Sequence, residues 1–442
     1  MTAVLAITPS DALIDVPRRI FVEGLQSGEC IRLHSTTLRG PGVAWRAQAD
    51  FVADAQGQVD LLRDAPISGS YSGVSSMGLM WSQVPDDGRA PREIFAAHPW
   101  EALETHVVLE RQPGLRSASD VTEAWLLQTL AGQGVVRQEV REAGVVGTLF
   151  TPPPRADGMS PPVIVVLNGS GGGINEPRAA LYASHGYAAL ALGYFKAPGL
   201  PDYISNTPLE YFENALQWVH RTLRPAGGRV ALSGQSRGGE LVLLLASMFP
   251  QWVSAVVAYV PGAVVHSAQN ACDPRLGSDS RNGPAWLYQG KALPHLWQGN
   301  RTATWQPWDE GPEPRRHANA LLTALQDPEA VQRASIAVER IRGPVLLLSA
   351  SDDGSWPSSL YSRMVVERLE RHRHPYAVKH LDFEGAGHSI LFPYMPTTQL
   401  VYAHPVSGRL STTGGAPSPN ALADEQSWIG VLSFLKQAFF AC

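Results

Sequence analysis

Over the first 130 residues apolar and polar positions alternate in short runs. "RIFVEGL", "ECIRLHSTTL", "VAWRAQADFVAD" and "QVDLL" are typical, each broken by Gly, Pro or Asp. Alternation turns one side of a strand to a core and the other to water. Many short strands punctuated in this way predict an antiparallel β-sandwich over residues 1–130. Residues 45–62 predict a hairpin, with its turn near Asp54 to Gly57. Residues 65–82, "APISGSYSGVSSMGLMWS", are small and then apolar. They predict a loop whose Met/Leu/Trp end packs on a neighbour, with a part in a ligand pocket as the alternative.

From residue 131 the pattern changes. "VVRQEV" and "VVGTLFTPPP" predict a hairpin around Ala143–Gly144. Nearly continuous apolar runs then alternate with helical ones: "PVIVVLNGS", "EPRAALYASHG", "YAALALG", "PLEYFENALQWVHRTL", "RVALSG", "RGGELVLLLASMF", "SAVVAYVPG". Such strands are buried on both faces, as in a parallel sheet covered by helices on each side. Leu209, Phe212, Leu216 and Val219 recur at helical spacing and predict a core-facing stripe. The alternation lapses over residues 261–330, which carry Trp286, Trp297, Trp305 and Trp308. So many tryptophans argue against disorder, and the stretch is expected to be a partly ordered lid over a site, or else a surface excursion. The pattern resumes with "PVLLLSASDD", a helix over 358–371, the strand "YAVKHLDF" and a closing helix over 422–440. Residues 131–442 thus form a second domain, with the Trp-rich insertion at about 261–330.

Composition narrows the possibilities. The 442 residues are 44% hydrophobic and 17% charged, with a net charge of −5, the balance of an ordinary globular protein. There is no long basic run, so nucleic acid is not an expected partner. Three widely spaced cysteines, Cys30, Cys272 and Cys442, include no C-x-x-C pair. Neither a disulfide framework nor a thiolate metal site is expected. The first residues lack a basic stretch followed by an apolar one, and no run reaches membrane-spanning length, so the expected location is cytoplasmic.

The candidate chemistry centres on "SGQSRGG" (233–239), where Gly234, Ser236 and Gly238 form a G-x-S-x-G motif between a buried strand and an apolar helix. In that setting the serine sits on a strained turn, and the helix presents free N–H groups to it. A serine needs a base, itself oriented by an acid, in the chain order Ser, acid, His. Asp353 in "DDGSWP" and His388 in "FEGAGHS" each follow a strand end, the sheet edge where such folds gather their ligands. Asp352 competes with Asp353. The run from Asp353 to Trp356–Pro357 fits the common pattern of an acid, two residues, an apolar residue and Pro, so Asp353 is preferred. Asp382 and Glu384 lie too close to His388 on the same strand end, and His372 and His374 look like helix-cap residues. The loop "LNGSGGGIN" (167–175) has the character of an oxyanion loop. Ser170 or Gly171, together with Arg237, are its expected backbone donors. A dinucleotide loop would need glycine where Ile174 stands, and no Gly-Lys-Ser/Thr follows for a nucleoside-triphosphate loop.

In "GSYSGVSSMGLMWS", "VVGTLFTPP", "GSGGGINEPRAALYASHGYAALALGYF", "LEYFENALQWV", "GQSRGGELVLLLAS", "DDGSW" and "GAGHSILFPYMP", nearly the whole chain resembles the mammalian-type acyl-CoA thioesterases and the related bile acid-CoA:amino acid N-acyltransferases. The resemblance implies an α/β hydrolase fold preceded by an immunoglobulin-like sandwich. It also implies Ser236 as nucleophile, Asp353 as acid and His388 as base, acting on an acyl-CoA without metal or cofactor. Ser rather than Cys at the nucleophile points to hydrolysis rather than amino-acid conjugation. The alternatives are acyl transfer to an amine or alcohol, carboxylester or lactone hydrolysis, and a binding protein that keeps the fold without chemistry. The Trp-rich stretch 270–312 is longer than the family's, and "FFAC" is not a peroxisomal address.

Overall fold

The alternating runs at the start of the chain form strands in a computed structural model that describes residues 2–40, 42–86, 88, 94–96, 98–111, 121–156 and 158–440. Ala441 and Cys442, the end of "FFAC", lie outside the described residues. The chain divides into two units. The first comprises Met1–Gly132, Leu391–Leu400 and Ala416–Trp428. In it, Cys30–Arg39 pairs antiparallel with Val43–Val52 and with Leu103–Arg111, at the centre of a seven-stranded sheet. Val4–Thr8, Arg19–Glu23 and Val59–Asp60 make a second sheet of three strands. Inward positions of both sheets, among them Ile20, Val22, Ile31, Leu33, Phe51, Val59 and Leu109, join one apolar cluster. That is sandwich packing.

The hairpin expected over 45–62 does not form. Asp54 and Gly57 do make the turn, closed by the Asp54 amide on the Gln58 carbonyl at 2.9 Å. The strands on either side then join different sheets. Alternation marks the strands and the turn but not the partner. Here the turn is seated on another loop: a Cβ on Gly57 would come within 2.1 Å of the Leu25 carbonyl oxygen, and the Leu25 amide donates to Gly57. The stretch 65–82 ends in a one-turn helix, Gly78–Trp81, wholly buried in the sandwich core.

The second unit comprises Gln133–Ile390, Val401–Gly415 and Ile429–Cys442. Its eight-stranded sheet consists of β1 (Val136–Glu142), β2 (Val145–Thr151), β3 (Val163–Leu167), β4 (Ala188–Leu192), β5 (Val230–Gln235), β6 (Ala255–Tyr259), β7 (Val345–Ala350) and β8 (Val378–Phe383). They lie in the order β1-β2-β4-β3-β5-β6-β7-β8. The β1–β2 hairpin turns at Ala143 and Gly144, both at positive φ (51° and 76°), the conformation a two-residue turn of this twist requires. β2 meets β4 antiparallel, and every pairing from β4 to β8 is parallel. This is the α/β-hydrolase arrangement. β3, β4 and β6 are buried at every residue, as a sheet covered on both faces demands.

Leu209, Phe212 and Leu216 are buried on the helix Leu209–Trp218, and Val219 is buried in the wider turn that continues it. The Trp-rich segment is packed into the body of the unit, and it also lines the cavity at Ser236 through Gln269, Asn270 and His317. It carries helices Gln306–Asp309, Ala318–Ala324 and Pro328–Ala334. All four of its tryptophans belong to the unit's core cluster, with Trp297 and Trp305 stacked at 3.9 Å. Large indole surfaces gain most from burial, which is why a segment without periodicity still folds into the body.

Candidate active site

The motif serine sits where β5 ends. Ser236 adopts φ 60°, ψ −120°, and the helix Arg237–Met248 begins at the next residue. A non-glycine residue is strained there and holds the conformation only when its surroundings impose it. They do. The Ser236 amide donates to the Tyr259 carbonyl of neighbouring β6 at 2.9 Å, and its carbonyl accepts from the Glu240 amide at 3.0 Å. The glycines are forced by contact. A Cβ on Gly234 would lie 2.2 Å from the Gly238 carbonyl oxygen, and one on Gly238 would lie 2.5 and 2.6 Å from the carbonyls of Leu167 and Asn168.

The loops after β7 and β8 deliver Asp353 and His388. His388 Nε2 lies 2.8 Å from Ser236 Oγ, and His388 Nδ1 lies 2.8 Å from Asp353 Oδ2. The other carboxylate oxygen of Asp353 accepts the amides of Ser355 (2.8 Å) and Trp356 (3.1 Å). With Nδ1 donating to a buried carboxylate, Nε2 is left as the acceptor for the serine hydroxyl. Asp352 turns elsewhere, to Arg316 at 2.7 Å and the Gly415 amide at 2.9 Å. Asp382 is engaged by Ser349 and Ser359, and Glu384 is exposed. The His374 imidazole donates to the Gly343 carbonyl at 3.0 Å, while His372 caps the helix Ser358–Arg371.

The loop after β3 runs beside the serine, where a Cβ on Gly169 would lie 3.3 Å from the Ser236 Cβ. Asn168 ties the loop into a tight turn through the Gly172 carbonyl (2.6 Å) and the Gly169 amide (3.0 Å). Gly172 and Gly173 donate to Gly169 and Phe195. The amides of Ser170 and Gly171 donate to no acceptor among the described residues, and the Arg237 amide is the first of its helix, where no intrahelical acceptor exists. Ser170 and Arg237 line the cavity around Ser236; Gly171 does not.

Several residues at the site carried no recognisable sequence signal. The strands Val401–Ala403 and Leu410–Thr412 form a hairpin that brings Tyr402, His404 and Ser411 to the cavity. His404 Nδ1 accepts the amides of Val406 and Ser407, so its Nε2–H donates to Ser170 Oγ at 3.0 Å. Just beyond this hairpin, the Thr413 carbonyl accepts the amides of both Gly354 (2.9 Å) and His388 (2.8 Å). One carbonyl thereby fixes the Asp353 loop against the His388 loop. The Trp-rich segment contributes His317, and Gln269 and Asn270 precede its tryptophans.

Under the serine turn lies a buried charged cluster. The Arg237 guanidinium pairs with Glu240 at 2.9 Å and donates to the Ser267 carbonyl (2.8 Å) and to Gln269 Oε1 (3.1 Å). Glu240 also accepts from Trp286 Nε1 at 3.1 Å and from His266 Nδ1 at 2.8 Å, and His266 Nε2 faces the Tyr361 hydroxyl at 2.8 Å. Burial alone would raise the Glu240 pKa, but the Arg237 charge and the bond from His266 hold it below the ordinary carboxylate range. Burial pushes the His266 pKa down, leaving a neutral ring that donates from Nδ1 and accepts from Tyr361 at Nε2. The cluster anchors the first turn of the helix whose amides face Ser236. An activated serine beside free amides is suited to acyl transfer through a covalent intermediate.

Residues 15–142 match the family described as acyl-CoA thioester hydrolase/BAAT N-terminal region, and residues 207–441 its C-terminal counterpart. Acyl-coenzyme A thioesterase 6 of Mus musculus is 31% identical, over 99% of this chain and 97% of its own. Acyl-coenzyme A thioesterase 1 of Homo sapiens is 30% identical, over 98% and 96%. The peroxisomal succinyl-coenzyme A thioesterase of Mus musculus is 29% identical, over 98% and 96%. The similarity runs through both units, and the chain belongs to the acyl-CoA thioester hydrolase/BAAT family.

Proposed function

We propose that this protein hydrolyses an acyl-CoA to the free acid and CoA through an acyl-serine. The observation that carries this is the serine–imidazole–carboxylate chain, with both links at 2.8 Å, in a chain whose relatives are named acyl-CoA thioesterases. His388 Nε2 takes the Ser236 proton as Oγ attacks the thioester carbonyl. The oxyanion rests on the amides of Arg237 and of Ser170 or Gly171. The carbon–sulfur bond breaks and CoA leaves as the thiol, carrying the proton from His388. His388 then deprotonates water, which releases the acid and restores Ser236. Release of free thiol from acyl-CoA measures the reaction. Ser236→Ala should lower kcat by at least about 10⁴-fold, and a rate near wild type would refute the assignment. Added glycine or taurine should yield no conjugate.

The same proposal places the CoA carrier. Gln269 and Asn270 line both the serine cavity and an adjoining groove of about 430 Å³ that also holds Tyr203, Arg281 and Arg409. Both arginines contact Asp309, and the bonds from Arg281 and then Arg409 pull its pKa to about 2. Two cations against one carboxylate leave a net positive wall for phosphates. Arg409→Ala should therefore raise KM for acyl-CoA about tenfold more than for the matching N-acetylcysteamine thioester, which has no phosphates. Equal changes for the two substrates would rule the groove out as the carrier's seat. A cytoplasmic location belongs to this reading. The free thiols of Cys30 and Cys272 fit any reducing compartment, and cell fractionation against compartment markers decides among them.

A further inference from the structure

The loop after β3 presses against the nucleophile, for a Cβ on Gly169 would lie 3.3 Å from Ser236 Cβ and 3.7 Å from Ser236 Oγ. The next residue, Ser170, is half-exposed and lines the cavity together with Ser236, Arg237, His388 and His404. Its hydroxyl meets the His404 ring, and the direction of that bond decides what the hydroxyl can do. His404 is buried, and its Nδ1 accepts the amides of Val406 at 3.2 Å and Ser407 at 3.3 Å. The turn that carries the ring closes on itself, with the His404 amide on the Arg409 carbonyl and the Gly408 amide on the His404 carbonyl, both at 2.8 Å. A ring nitrogen that accepts carries no proton, so the proton sits on Nε2. Nε2–H therefore donates to Ser170 Oγ at 3.0 Å.

An Nε2 that bears its proton offers no lone pair, so Ser170 cannot return its own proton to His404. That O–H makes no other hydrogen bond among the described residues. Accepting one bond polarises a hydroxyl and makes it a stronger donor of its own proton. No carboxylate is among the described residues that line the cavity. The negative charge that such a donor would meet therefore arises only when a bound carbonyl becomes tetrahedral. The Ser170 amide is free as well, and a serine's amide and hydroxyl can reach one oxygen together.

We propose that Ser170 is a catalytic residue through its side chain: its hydroxyl, oriented by His404, joins its amide and that of Arg237 as a donor to the oxyanion. The inference rests on the acyl-CoA reading above and deepens its oxyanion site. An oxyanion forms twice in that reaction, when Ser236 Oγ attacks and again when water attacks the acyl-serine. Ser170→Ala should therefore lower kcat for thiol release by about 10²-fold and leave KM within about threefold. Ser170→Thr, which keeps a hydroxyl, should retain at least about tenfold more kcat than Ser170→Val, of nearly the same shape without one. That pair decides alone if the alanine variant does not fold. A trifluoromethyl ketone analogue of the acyl-CoA takes up Ser236 Oγ and stops at a tetrahedral oxyanion, so its affinity should fall in step with kcat/KM in Ser170→Ala. His404 is a positioning residue, and His404→Phe should cost far less kcat in Ser170→Ala protein than in wild type. A kcat loss below about tenfold in Ser170→Ala, or an analogue affinity that holds while kcat falls, would overturn the inference. Additive losses for the two substitutions would remove His404 from it. No thiol release by the wild-type protein would defeat the acyl-CoA reading instead. The same variants on p-nitrophenyl acetate would then judge the inference: a slower rate with Ser170→Ala supports it, and equal rates, or no cleavage at all, overturn it.

Discussion

A single side chain, Glu240, shows how much of this site lies out of view of the substrate. It is wholly buried and receives bonds from Arg237, His266 and Trp286. A buried ion pair is a poor source of net stability, but removing one partner abandons a charge in a medium that cannot solvate it. Glu240→Ala should therefore cost about 3–5 kcal/mol, read as a fall in the urea midpoint. It should also lower kcat if, as proposed, the Arg237 amide of the same turn holds the oxyanion. An unchanged midpoint would mean that the guanidinium finds other partners. Glu240 lies four residues beyond Ser236 in an apolar helix, and nothing in its local pattern marks it as buried. Its partners His266 and Trp286, and the Tyr361 hydroxyl that meets the far side of His266, come from three distant stretches, so its environment is a property of the fold.

Among the elements, the strand–turn–helix around Ser236 is tightly constrained. Carbonyl groups occupy the space a methyl group would need at Gly234, Gly238 and Gly239. Gly238→Ala must therefore push the helix away from the loop after β3. The expected cost is about 1–3 kcal/mol of overpacking, with a fall in kcat out of proportion because the loop carries the Ser170 amide. Thermal melting together with thiol release checks both, and wild-type kcat in a destabilised variant would separate the glycine from the chemistry. The 401–412 hairpin works the other way. Its strands are three residues each and its sequence is unremarkable, yet it presents His404 to Ser170, and the chain leaving it bonds both catalytic loops.

For the molecule as a whole, buried histidines set the response to acid. Burial lowers the pKa of His295 to about 4 and of His317 to about 3. Both lie below the value of about 6.5 expected in an unfolded chain. Between those limits the unfolded state binds more protons, so stability rises with pH. The contribution is complete above about pH 6.5 and is lost as pH falls toward 4. At pH 4.5 the loss is about 2–3 kcal/mol for each ring, because every pH step below the unfolded pKa removes about 1.4 kcal/mol. Urea midpoints at pH 7.5 and 4.5 measure it, and His295→Leu should flatten part of the slope. A midpoint equal at the two pH values would show that these rings protonate without unfolding the chain.

Local pattern alone made the strands, the helices and the change of grammar near residue 131 legible, because periods of two and of 3.6 residues each report a buried face. It also singled out Ser236, Asp353 and His388, since each follows a recognisable strand end and a parallel sheet gathers such ends along one edge. What it could not supply was pairing across distance. The turn at Asp54–Gly57 was visible, but the strands that its flanks join, Cys30–Arg39 on one side and Arg19–Glu23 on the other, lie elsewhere in the chain. The tryptophans of the 286–308 stretch were conspicuous without revealing whether they cover a site or fill a core. Likewise, His317, Gln269 and His404 reach the cavity through loops with no period to read. The elements and the order of the reacting groups could thus be read from the chain alone, because they follow from contacts between near neighbours. The lining of the cavity and the partners of its buried charges came into being only on folding, because they depend on which distant surfaces close-packing brings together.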